Sequence, residues 1–347
     1  MKKILITGVT GQDGSLMADF LLKNTDNLII GGIRRLSVEN HINIQHLKNN
    51  PRFKLIDLDI TDCHNIDRVI CEEKPDYFIN FAANSFVGTS WKMPYNHLQT
   101  NTAAVIHQLE AIKKHCPLCR YYNAGSSEEF GDVVYSPQDL SHPIRPRSPY
   151  GAAKAAARFF IKVYRESFGL YAIQGFLFNH EGTRRGTEFV TRKITKNVAR
   201  IAKSVICGVK AAPLELGNID SLRDWSDAED FVEGVWLMLN QVVPNGKLPK
   251  EYILSSNETH SIREFVELAF THAGLSGCKW EGSGLNEKYI HPDFGTLVII
   301  NPEFYRPAEV ELLLGDSSEA RNELGWLPKT SFEDLVKKMV DADMVLV

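Results

Sequence analysis

The chain has 347 residues, 44% hydrophobic and 24% charged, enough for one large or two modest domains around real cores. Its 39 basic and 43 acidic side chains leave a formal net charge of −4, so the composition does not favour a nucleic-acid surface. No apolar run approaches a membrane span, the start MKKILITG leads into a strand rather than a signal peptide, and six scattered cysteines fit a reducing cytoplasm.

Lys3–Thr7 is a short apolar strand without alternation, as expected in a parallel sheet covered on both faces. Gly8-x-x-Gly11-Gln12-Asp13-Gly14 follows, and Leu16–Leu22 begins an amphipathic helix. Strand, glycine turn and helix in that order form a pyrophosphate site, because the glycines let the backbone approach and the helix N-terminus offers amide donors. The second strand, Leu28–Ile33, ends in Arg34-Arg35-Leu36-Ser37. Two guanidiniums and a hydroxyl, where an NAD enzyme offers an acid, suit a 2′-phosphate and point to NADP.

Phe53–Leu58 is the third strand, with Asp59 and Ile60 placed to meet adenine; Tyr77–Ala82 is the fourth, opening onto Ala82, Ala83, Asn84 and Ser85 along the cofactor. A long helix is predicted from about Tyr95 to His115. On it, Asn101 either reaches the loop holding Ser126 or satisfies buried backbone groups. Cys116-x-x-Cys119 has no second pair at zinc spacing and reads as structural, so no metal is expected.

Arg120–Ala124 is a buried strand that delivers Ser126, Ser127 and Glu128 to its carboxyl end. Glu129 is the neighbouring carboxylate, on the other side of an extended chain. Ser148-Pro149 starts a helix as N-cap and first residue. Tyr150 and Lys154 then lie one turn apart on one face. An ammonium beside a phenol favours phenolate, which makes Tyr150 a plausible acid/base. Ala152, Ala153, Ala155, Ala156 and Ala157 give this helix a small-residue surface for packing on the sheet and for a helix–helix dimer contact.

Tyr171–Leu177 is the sixth strand, after which the pattern turns irregular and basic through Asn179, His180, Arg184, Arg185, Arg192 and Lys193, fitting an anion. Further elements are a helix to about Ile206, a strand near Leu214–Leu216, helices Asp227–Leu239 and Ser261–Thr271 around a strand at Tyr252–Leu254, a short helix near Ser318–Leu324 and a last one over Ser331–Met339. The fold is therefore α/β: a Rossmann-type doubly wound parallel sheet with a smaller C-terminal α/β substrate-binding domain made of discontinuous segments. Residues 1–178, with returning segments about 217–240, make the first domain; about 179–216 and 241–347 make the second, with a cleft between them.

The Ser126–Tyr150–Lys154 set with the glycine turn resembles the triad of the extended short-chain dehydrogenase/reductases. End to end, TGVTGQDGS, RRLS, RPRSPYGAAK, YRESFGLYAIQGFLFNHEGTRRGTEFVTRKIT, GNIDSLRDW and RPAEVELLLGD resemble the GDP-mannose 4,6-dehydratase family. The resemblance implies NADP contacts at Gly8, Gly11, Asp13, Arg34, Asp59, Ala83, Tyr150, Lys154, Asn179 and His180, with Gln12, Gly14, Arg35, Ser37, Ile60, Ala82, Ser85 and Arg185 beside them. It implies GDP-sugar contacts at Ser85, Glu128, Asn179, Arg192, Lys193, Gly217, Arg223, Arg306 and Glu309. The implied chemistry is oxidation at C4 by Tyr150, with Lys154 lowering its pKa and Ser126 orienting the oxygen. Elimination of water across C5 and C6 by Glu128 follows, and then hydride return to C6.

The family pattern departs here in three places: Gly125-Ser126 stand for serine–threonine, Glu129-Phe130 for leucine–tyrosine, and Phe86 for histidine. These leave open the same dehydration on GDP-D-glycero-D-manno-heptose, and an epimerase or reductase of the same superfamily would share the triad without needing Glu128. From another class, a catalytically dead NADP-sensing module would have lost part of the triad, which is whole. A homodimer or homotetramer is the family's expectation, with no nucleic-acid or membrane partner.

Overall fold

The computed structural model describes residues 1–304 and 312–347. The first half alternates strand and helix: β1 (Lys3–Thr7), α1 (Gln12–Asn24), β2 (Leu28–Ile33), β3 (Phe53–Asp57), α2 (Cys63–Glu73) and β4 (Tyr77–Asn80). Then come α3 (Val87–Ser90), α4 (Pro94–Leu98), α5 (Ala104–His115), β5 (Arg120–Ala124), α6 (Pro149–Phe168) and β6 (Ala172–Leu177). A π turn over Gln99–Ala103 joins α4 to α5, so the long helix expected from Tyr95 is continuous but locally widened at Asn101.

The second half runs β7 (Asn179–Glu181), α7 (Val190–Ile206), β8 (Leu214–Leu216), β9 (Leu222–Arg223), β10 (Trp225–Asp227) and α8 (Ala228–Leu239). It continues with β11 (Ile253–Leu254), β12 (His260–Ser261), α9 (Ile262–His272), β13 (Lys279–Glu281), β14 (Lys288–His291) and β15 (Gly295–Ile300). β16 (Leu312–Leu313), α10 (Ser318–Leu324) and α11 (Phe332–Leu346) close the chain.

The main sheet has seven strands in the order β11-β6-β5-β4-β1-β2-β3, all parallel. β1 shows why its strands are apolar throughout. Ile4 and Ile6 face a core shared with α1 and α8, while Leu5 faces the other core with α2, α5 and α6. Neither side meets water, so alternation has no cause. A second unit packs α7, α9 and α11 on the sheet β13-β14-β15-β8, around a separate core.

One boundary differs from the expectation. Ile253–Leu254 lies in the stretch assigned to the second domain, yet it pairs with Phe176 and Leu177 as the seventh strand. Ala320 and Trp326 join the core under α1 and α8. An apolar run beside the open edge of β6 satisfies its backbone by extending the sheet, which sequence periodicity cannot distinguish from a strand elsewhere.

A polar ladder crosses the sheet near the carboxyl ends of its strands. Thr7 Oγ1 donates to Asn80 Oδ1 (2.5 Å), Asn80 Nδ2 to Asn123 Oδ1 (2.7 Å), and Asn123 Nδ2 to Gln174 Oε1 (2.6 Å). All four side chains are buried, and each bond satisfies the next group along.

Candidate active site

The carboxyl ends of the strands open onto one cleft of about 1920 Å³, the place where doubly wound sheets bind ligands. Every described residue assigned to a site from the sequence lines it; Arg306 and Glu309 lie outside the described residues.

At one end the chain turns at Gly8, whose φ of +67° and whose 2.7 Å gap between an imagined Cβ and Ala82 N both require glycine. A Cβ on Gly14 would stand 2.3 Å from Gly8 O, so turn and helix meet at backbone distance. The N-cap of α1 is Gly11, with no side-chain cap, leaving the first-turn N–H groups for an anion. Gln12 Oε1 and Asn179 Oδ1 are buried there without a partner among the described residues. Those two oxygens are acceptors, open to a hydroxyl or amide donor, whereas the uncapped N–H groups of the first turn fit a pyrophosphate. Arg34, Arg35 and Ser37 are exposed at the cleft edge after β2. Asp59 turns one carboxylate oxygen to Thr61 N (2.9 Å) beside Ile60. Asn40, His41 and Asn43 also line this end and were not singled out from the sequence; Asn43 Nδ2 ties their loop to Thr10 O (2.9 Å).

Asp13 and His180 meet across the floor, Nε2 to Oδ2 at 3.0 Å. Burial raises the Asp13 carboxyl, but the charge and hydrogen bond of His180 outweigh it and hold it at about 2. Burial lowers His180 less than Asp13 raises it, so the imidazole lies above its ordinary value. His180 stacks on Phe231, with centroids 4.6 Å apart.

In the middle, Ser126 caps a 3₁₀ turn, Ser127–Glu129, at the end of β5. Ser126 Oγ accepts from Glu128 N (3.2 Å). Turn geometry, not extended chain, separates the two carboxylates: half-buried Glu128 lines the cleft, while Glu129 is fully buried beneath it. The helix α6 begins against this turn. Ser148 Oγ accepts from Gly151 N (3.0 Å), and a Cβ on Gly151 would lie 2.5 Å from Glu128 O. Tyr150 and Lys154 thus project beside Ser126 and Glu128.

Lys154 Nζ donates to Ala124 O (2.7 Å) and lies 5.9 Å from the Tyr150 ring centroid. Burial pushes the Tyr150 phenol well above its ordinary range; the Ser126 hydroxyl opposes this, and the charges of Glu128 and Glu129 reinforce it. Burial lowers Lys154 to about 8 against the pull of Glu129 and Asp13. Desolvation therefore outweighs the ammonium–phenol pairing read from the sequence. Fully buried His97, unforeseen from its sequence, stands edge-on to Tyr150 with centroids 6.1 Å apart. Asn101 takes the second of its two readings: it accepts from Asn84 N (2.9 Å) and donates to Asn84 O (3.0 Å), pinning the loop after β4.

At the far end, Lys193 Nζ sits 3.4 Å from the Phe304 ring centroid, and Gly217 lets Phe304 approach. Arg223 is buried on β9 and donates to Leu222 O (2.8 Å). Arg185 stacks on Phe189 (3.6 Å) and pairs with Glu181 (2.9 Å). Phe189 meets Phe86 edge-on at 5.8 Å, an apolar corner beside Ser85 and Ala83. Arg192, expected on the substrate, lines the cleft while its guanidinium also pairs with Asp343 of α11 (2.8 Å) and bonds Thr183 O. Among the described residues, no group of acids, histidines and cysteines is arranged to hold a metal ion, and no helix is long and apolar enough to cross a membrane.

A family model described as GDP-mannose 4,6 dehydratase matches residues 5–339. The GDP-mannose 4,6 dehydratase of Drosophila melanogaster is 42% identical over 99% of this chain and 87% of that protein. That of Cricetulus griseus is 40% identical over 99% and 92%. Among solved structures, UDP-glucuronic acid 4-epimerase from Bacillus cereus, in complex with UDP-glucuronic acid and NAD, superposes with a TM-score of 0.81 at 21% identity, covering 99% of this chain and 100% of that one.

Proposed function

The chain belongs to the GDP-mannose 4,6 dehydratase family, and from that we infer that it is a hydro-lyase converting GDP-D-mannose to GDP-4-keto-6-deoxy-D-mannose with NADP. The observation that carries the reading is the meeting of Glu128 with Ser126, Tyr150 and Lys154 on one wall of the cleft, between an anion cradle and a cationic far end. An epimerase or reductase has no use for that carboxylate.

The bound nicotinamide supplies hydride acceptance from C4 and hydride return at C6. Tyr150 takes the proton of the C4 hydroxyl, Ser126 holds the C4 oxygen, and Lys154 orients the ribose. The 4-ketone acidifies C5–H. Glu128 removes that proton and returns it to the C6 oxygen, which leaves as water. The proton gained by Tyr150 balances the one that C5 takes up when C6 is reduced, so the net change is loss of one water. The half of the cleft under the glycine turn is assigned to the cofactor. Lys193, Gly217 and Arg223, with Arg306 and Glu309, are assigned to the GDP. Arg34, Arg35 and Ser37 support NADP over NAD, since they bring two positive charges where the 2′-phosphate would lie.

The experiment is incubation of purified protein with GDP-mannose and either NADP⁺ or NAD⁺, reading product by mass. Loss of one water, faster with NADP⁺ and losing that preference in R34A/R35A, is expected. Conversion of the manno-heptose analogue alone moves the substrate.

The outer face of α6 and its neighbour α4 expose Phe159, Phe160, Val163, Tyr95 and Leu98, while Ala153, Ala155 and Ala157 face inward. Exposed apolar side chains on two packed helices fit a second copy of the chain in a helix–helix dimer. A solution mass of twice the chain supports this, and a monomer at micromolar concentration refutes it. The reading also carries the expectation that the enzyme works in the cytoplasm, since its nucleotide substrates are made there.

A further inference from the structure

Directly beneath the cleft wall lies a chain of buried ion pairs that the proposed chemistry does not use. Glu129 is fully buried, one residue from Glu128. Its Oε2 meets Arg158 Nε at 2.5 Å, and its Oε1 accepts from Ser126 N (2.8 Å) and Gln174 Nε2 (3.0 Å). Arg158 also pairs with Glu251 and donates to Gln174 O (2.8 Å), and Glu251 pairs with Arg165 (3.0 Å). Gln174 ends the ladder from Thr7 and donates to Lys154 O (3.0 Å), so Glu129 is where the sheet's polar ladder meets the catalytic turn.

Gly125 makes room for it. A Cβ there would stand 2.8 Å from both Arg158 Nη2 and Glu129 Oε1, and 2.2 Å from Gly175 O. The sequence departures at Gly125 and Glu129 are thus one physical unit.

We propose that Glu129 is a positioning residue for the reaction: its buried carboxylate, held by Arg158, fixes the backbone of Ser126 and faces Lys154 with negative charge. This rests on the dehydratase reading. Burial alone is costly for a carboxylate, and a pair so fully bonded also locks its neighbours. The groups facing Lys154 are Glu129, Asp13, Arg158 and His97; those facing Tyr150 are Ser126, Glu128, Glu129, Arg185 and His97.

The test compares wild type with Glu129→Gln, whose amide oxygen still accepts from Ser126 N while the charge is gone. With GDP-mannose, kcat falls about tenfold at unchanged KM, since a small misplacement of the reacting groups is enough. The pH at which kcat/KM stops rising, set by loss of the Lys154 charge, moves about one unit down. NADPH binding followed by fluorescence shows the same shift. It reads Lys154 whether or not GDP-mannose is the substrate, so a wild type inactive on GDP-mannose refutes the substrate reading without touching this one.

Glu129→Asp keeps the charge and shortens the reach: its pH break stays and its kcat falls. If the glutamine variant does not fold, the aspartate variant carries the test. Wild-type kcat and an unshifted break in a folded variant, with thermal stability alone reduced, overturn the inference.

Discussion

Glu128→Gln is expected to lower the rate of dehydration about a thousandfold while leaving the first oxidation intact, the scale on which a positioned acid/base contributes. The geometry separates the two steps. In the proposed chemistry Tyr150 and Ser126 act at C4, and Glu128, on the adjoining turn and lining the same cleft, takes the C5 proton. Glutamine keeps the size and one hydrogen-bonding oxygen but cannot take a proton. Mixing the variant with GDP-mannose and NADP⁺ should therefore give a single burst of near-ultraviolet absorbance and then stop, with ketone formed and no water lost. Full turnover by the variant would show that another group is the base. Absence of both burst and product would place Glu128 in binding or folding instead.

Tyr150→Phe is expected to abolish both burst and product, a loss of about ten-thousandfold, because in the proposed chemistry Tyr150 is the group that takes the C4 hydroxyl proton. The pH dependence of the wild type follows from the two shifts. The active form needs Tyr150 without its proton and Lys154 with its own. Burial holds the phenol well above its ordinary range and lowers Lys154 to about 8, so the reactive form is a minority species at neutral pH. Its share grows about tenfold per unit as pH rises, until Lys154 begins to lose its charge near 8, after which gain and loss cancel and kcat/KM levels off. A rate independent of pH between 6 and 8 would mean that the phenol titrates much lower than its burial dictates.

Much of this was legible in the chain because the signals are local. KILIT followed by three glycines can form little but a strand and turn, and Ser148-Pro149 marks the start of α6 as clearly as any cap. What escaped depends on partners far along the chain. The pairing of Arg192 with Asp343, on the last helix, has no local sequence signal. Glu129 reads as the carboxylate on the other side of an extended chain from Glu128, whereas a 3₁₀ turn carries it into the interior against Arg158. Ile253–Leu254 reads as part of the second unit until the open edge of β6 claims it. The balance at Tyr150 is illegible for a related reason: four-residue spacing reports proximity to Lys154 but says nothing of burial, the largest cause of both shifts.

The most direct test of the account follows one hydrogen. GDP-mannose carrying deuterium at C4 is turned over with a trace of unlabelled NADP⁺, and the product is read by mass and by nuclear magnetic resonance. If Tyr150 and Glu128 act in sequence within one closed cleft, the label appears at C6 of the 4-keto-6-deoxy product, because the hydride never leaves the site. Label found in the free cofactor pool, or retained at C4 of an epimerised sugar, would contradict it.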